Sequence, residues 1–166
     1  MRMKNYAITS GQVREDEGIR SAGVQTTPSA LHLVTPSDLE ELRNALMRGA
    51  LPADLEIKLR RLAQGSLLHQ SVEQNCRLFT SLLVAGEHSS FNEGSRTDLD
   101  RLLRVLAYVR KENDAIDDFK PNGFVDDQQE VRAAASDLSL LLRHFKEWRL
   151  RTQVPDLWTS WSGCLF

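Results

Sequence analysis

At 166 residues the chain is long enough for one ordinary domain with a true core, and 41% apolar with 27% charged residues is a globular balance rather than a disordered one. A net charge of -2 and an isoelectric point of about 6.1 argue against a general nucleic-acid binder, which needs a basic excess. Apolar runs are only a few residues long, so no membrane span is expected. Arg2 and Lys4 are not followed by an apolar core, so no signal peptide is expected either. Cys76 and Cys164 are far apart and lack Cys or His neighbours at metal spacing, which fits a reducing compartment. Together these features predict a cytoplasmic protein. The closing Gly163-Cys164-Leu165-Phe166 fails as a prenylation box, because its cysteine is third from the end rather than fourth.

Residues 1–34 show no sustained period and are expected to form a leader, flexible or loosely docked. From Thr35 the pattern sharpens. Thr35 suits an N-cap, Pro36 the first helical position, and Leu39, Leu42 and Leu46 make one apolar stripe that Gly49 ends. A second helix starts at Leu51-Pro52, with Leu55, Leu59 and Leu62 on one face and Lys58, Arg60 and Arg61 off that stripe, and stops at Gly65. A third spans about 66–85, with Leu68, Val72, Cys76, Phe79 and Leu83 at helical spacing. After a polar stretch from Gly86 to Gly94, the fourth is predicted to open at Thr97. It carries Leu99, Leu102, Leu103, Leu106 and Val109 on its buried face, widened by Val105 and Tyr108.

The fifth predicted helix opens at Asp127, with Glu130 at capping-box spacing. It continues through Val131, Ala134, Leu138, Leu141, Phe145 and Trp148 to the turn before Pro155. No strand-length alternation and no solenoid repeat is present. The prediction is an all-α domain, a compact bundle of about five helices over residues 35–153, with an aromatic tail over 154–166.

Between the fourth and fifth helices lies NDAIDDFKPNGFVDD, with the carboxylates Asp114, Asp117, Asp118, Asp126 and Asp127. Hard cations take oxygen ligands, so these five residues are the candidates for a divalent metal site. Read as a calcium loop from Asp118, the segment puts Gly123 at the required sixth position. It also puts Lys120 at the third and Gln129 at the twelfth, where carboxylates belong. The competing reading is structural: Asp126 and Asp127 as helix caps, Asp114 and Asp118 closing turns, Phe119 and Phe124 pinning the segment to the core.

Asp114, Ile116, Asp118, Phe119, Pro121, Gly123, Phe124, Asp126 and Asp127 follow the order and spacing of a known motif. Over about residues 99–145 the chain resembles the bacterial YkvA-like domain, with Leu103-Ala107-Tyr108 resembling the helix before that motif. Asp117 replaces the family's central proline and Glu112 stands where another proline is usual. The resemblance implies a small helical fold and no established catalytic activity; some members are linked to membranes.

Other chemistry is thin. His32, His69, His88 and His144 make no i, i+4 metal pair, His88-Ser89-Ser90 has no orienting third group in view, and no phosphate-binding glycine loop is present. Arg101, Arg104, Arg110 and Lys111, with the basic end of the last helix, form either a cationic patch or a solvated, ion-paired face.

The tail VPDLWTSWSGCLF carries two of the three tryptophans and a single charged side chain, Asp156. Leu157, Trp158, Trp161, Leu165 and Phe166 are the candidate partner-binding residues, since Trp is a favoured interface anchor. Packing of the tail on its own helices and homo-oligomerisation satisfy the same need to cover it. The leading functional expectation is a non-catalytic protein–protein interaction or accessory domain of a bacterial cytoplasmic system, with no cofactor. The alternatives are a metal-dependent module or enzyme using the acidic stretch 114–127, and a small neutraliser protein that binds a basic partner.

Overall fold

The computed structural model describes residues 30–88, 90–111 and 123–153. Six α-helices follow a short 3-10 turn at Ala30–Leu33: α1 Pro36–Met47, α2 Ala53–Ala63, α3 Leu67–Glu87, α4 Arg96–Val109, α5 Val125–Asp137 and α6 Ser139–Thr152. The fold is all-α, and no strand occurs among the described residues. No helix among them is long and apolar enough to cross a membrane.

Local chemistry sets most boundaries. The Thr35 hydroxyl accepts the Asp38 N–H while the Asp38 carboxylate accepts the Thr35 N–H, a closed capping box. Gly49, at φ +71°, takes the left-handed turn after α1. Helix α4 starts one residue earlier than its predicted Thr97, because Ser95 and Asp98 form a second capping box.

The long predicted fifth helix is two helices. It breaks at Leu138, which has φ -100° and ψ 19°. The apolar spacing Ala134, Leu138, Leu141, Phe145 runs through the break without a fault, so periodicity alone does not reveal it. Packing decides it. Helix α5 lies against α3 and α4, whereas α6 turns to put Phe145 and Trp148 against Phe91, beyond the end of α3.

Helices α3 and α4 form the centre, with Phe79, Leu82, Leu102, Leu106 and Tyr108 fully buried between their neighbours. The C-terminal end of α4 is tied to three other elements, α1, α2 and the 3-10 turn. Arg110 pairs with Glu41 on α1 and Asp54 on α2, each at 2.6 Å, and these carboxylates hold its guanidinium above its ordinary pKa against partial burial. Lys111 pairs with Asp38 on α1 at 2.8 Å and donates to the Leu33 carbonyl at 3.0 Å. From the far side, Glu130 of α5 accepts the Ala30 N–H at 2.6 Å, closing the 3-10 turn against the bundle.

The hydrogen bond from Lys111, then that from the Thr35 N–H, lower the Asp38 carboxyl to about 2. A depressed folded-state pKa contributes stability above the unfolded-state value, and that contribution is lost as pH falls towards the folded value. Urea midpoints should therefore drop between about pH 4 and about pH 2, and Asp38→Asn should flatten part of that drop. An equally steep acid limb in Asp38→Asn would show that this pair carries no pH dependence.

Candidate functional site

The distinctive chemistry lies at the base of the acidic stretch. Lys58 stands three residues after Leu55 and four before Leu62, so it occupies a core position of α2 rather than lying off the stripe as predicted. Its side chain is 2% exposed. The ammonium lies 2.8 Å from Asp127 Oδ2 on α5, a carboxylate with no exposed surface. It also donates to the Lys111 carbonyl at 2.8 Å, in the residue that leaves α4. One buried cation thus holds both the point where the chain departs α4 and the first turn of α5. It sits at the negative end of the α4 dipole while Asp127 sits at the positive end of α5.

Asp126 is the second inward carboxylate. The Tyr108 hydroxyl donates to its Oδ2 at 2.6 Å, and both side chains are buried. Phe124 closes the outer side of the centre. Its ring meets His69 edge-on at 5.2 Å between centroids, and the Arg61 guanidinium and Lys58 ammonium lie 5.4 and 5.8 Å from its centroid. Cys76 is buried beside this group; burial, then the charge of Asp127, pushes its thiol far above the ordinary range. Such a thiol stays protonated at neutral pH and is a poor nucleophile.

The sequence-predicted site residues divide accordingly. Asp126 and Asp127 are brought together, but as structural partners of Tyr108 and Lys58. The predicted cap role fails: α5 begins at Val125, its N-cap position is Phe124 with no side-chain cap bond, and Asp127 is already inside the helix. Asp114, Asp117 and Asp118 lie outside the described residues, as do Leu157, Trp158, Trp161, Leu165 and Phe166. Among the described residues no three His, Cys, Asp or Glu side chains converge as a metal-ligand group.

The cationic patch proposed for α4 is largely paired. Arg101 meets Asp137, and Arg110 and Lys111 carry the ion pairs given above. Lys146 and Arg149 of α6 instead face Arg77 and Glu73 of α3 across an open groove of about 650 Å³ that Gln74, Asn75 and Leu78 also line. His144 lies 2.8 Å from Glu93.

Lys58 and Tyr108 were the residues whose site roles the sequence concealed. The available signal was paired: one lysine at a core position of α2, and one aspartate, Asp127, four residues before Val131 on the core stripe of α5.

Compared with protein-family models, curated proteins and solved structures, the chain has no match.

Proposed function

We propose that this chain is a non-catalytic interaction domain of a bacterial cytoplasmic system, related to the YkvA-like helical domains, with its partner contact in the aromatic tail. The observation that carries the reading is the inward use of Asp126 and Asp127. The two carboxylates that the acidic stretch contributes to a described helix fasten α5 to Lys58 and Tyr108 instead of lining a cleft. Helices α4 and α5 stand on either side of the acidic segment, in the helix–motif–helix order that the resemblance implies. Leu157, Trp158, Trp161, Leu165 and Phe166 supply the kind of apolar anchors that interfaces use.

The test compares the full chain with a Trp158→Ala/Trp161→Ala variant in affinity capture from the native lysate, helicity being checked by circular dichroism. The expected result is a defined partner whose affinity falls by about 30-fold or more on losing the two rings. Equal capture by both chains removes the tail from the partner contact. A melting temperature raised by Mg²⁺, Mn²⁺ or Ca²⁺ would instead favour metal use of the acidic stretch.

A further inference from the structure

The two most exposed large apolar side chains among the described residues are Leu67, 82% exposed, and Leu150, 81% exposed. They stand on the two helices that wall the open groove. Leu67 belongs to the α3 face that carries Ser71, Gln74 and Leu78, at spacings of four, three and four residues, so this face runs from the groove floor to the start of α3. Leu150 follows Arg149, which lines the opposite wall.

Helix α6 runs antiparallel to α3. Its Leu141 approaches Gly94 and its Phe145 meets Phe91, both beyond the end of α3, whereas Lys146 and Arg149 lie opposite the middle of α3. The chain therefore leaves α6 travelling towards the start of α3, and Gln153, at φ 52°, makes a left-handed turn there.

Reach agrees with direction. Leu67 lies six residues before Glu73, about 9 Å along the helix axis. The four residues from Arg149 to Gln153 already cover about 6 Å of that path. Five further residues, the span from Gln153 to Trp158, allow a reach of about 16 Å more. Charge agrees as well: Arg77, Lys146 and Arg149 face a groove with one carboxylate, Glu73, already paired with Arg77, while the tail's only charged side chain is Asp156.

We propose that the tail segment 154–166 docks in cis along the α3–α6 groove, laying its tryptophans over Leu67 and Leu150, so that a partner must displace it from this seat. The inference rests on the tail being the partner-binding element and adds its resting state. The seat covers leucines that would otherwise lie bare beside the tail, and it makes partner affinity depend on the competition between the two docking modes.

The experiment uses the full purified chain carrying Trp148→Phe, so that fluorescence reports Trp158 and Trp161 alone. It is compared with the same chain carrying Leu67→Gln and Leu150→Gln, two surface changes that leave the core intact and are checked by far-ultraviolet circular dichroism. Acrylamide quenching, which is insensitive to the charge of the groove, measures tail exposure. The expected result is protected tryptophans in the parent and a red-shifted, readily quenched signal in the leucine variant, with the ratio of docked to free tail lowered about tenfold or more. Equal quenching in both chains overturns the proposal. Protection that grows with protein concentration overturns cis docking too, since it places the tail on a second copy. Because no partner is present, these outcomes are separate from the capture experiment above.

Discussion

Replacing Lys58 by methionine is expected to destabilise the fold by about 3–5 kcal/mol, the cost of leaving one member of a buried ion pair without its counter-charge. The side chain volume is nearly kept, so the loss reports charge rather than a cavity. The contact with Asp127 and the bond to the Lys111 carbonyl are both lost. Asp127 then remains in a site with no exposed surface, and burial favours its protonated form. Its raised folded-state pKa gives the variant a stability that is retained below the ordinary carboxylate range and lost as pH rises above it. The deficit measured by urea unfolding should therefore be larger at about pH 7 than at about pH 4.5. The double variant Lys58→Met/Asp127→Leu should recover most of the loss, because a buried pair exchanged for apolar groups is often neutral. A single-variant loss below about 1 kcal/mol, or no recovery in the double, would show that the pair does not fasten α5.

Much of this fold was legible because helix boundaries obey local chemistry. Thr35, Pro36 and Gly49 mark α1 as cap, first turn and stop, and the stripes are buried from Val72 onward in α3 and from Leu102 onward in α4, whereas Leu68, expected to open the α3 stripe, is 57% exposed in the first turn. What stayed hidden depended on distant partners. Lys58 reads as a surface residue until α5 places a carboxylate beside it, and nothing within α2 announces that carboxylate. Asp126 and Asp127 look like caps because acidic residues before an apolar stripe usually are. The helix instead starts earlier, at Val125, which carries Asp127 round to the inner face. The Leu138 break is hidden for a related reason: a periodic stripe states which face is apolar, not whether one surface or two will receive it.

That break makes α6 depend on a small aromatic cluster, and the second large effect follows from it. Phe145 is 1% exposed, edge-on to Phe91 at 5.2 Å and stacked on Trp148 at 5.6 Å, with the Arg149 guanidinium 5.9 Å from its ring. Phe145→Ala removes the ring pairs and leaves a cavity, at an expected cost of about 3–5 kcal/mol. That corresponds to a fall in Tm of roughly 10–20 °C for a domain of this size. Phe145→Leu restores most of the apolar volume without the ring pairs and should lose markedly less. Because α5 is held separately through Lys58 and Tyr108, hydrogen exchange should quicken first in α6 while α5 amides stay protected. Uniform quickening across both helices would mean that they behave as one element and that the bend at Leu138 does not divide their stability. If α6 alone loosens, the wall carrying Lys146, Arg149 and Leu150 loosens with it. Tail protection should then fall in Phe145→Ala although neither the tail nor Leu67 is altered, tying the aromatic cluster to the groove through the position of α6.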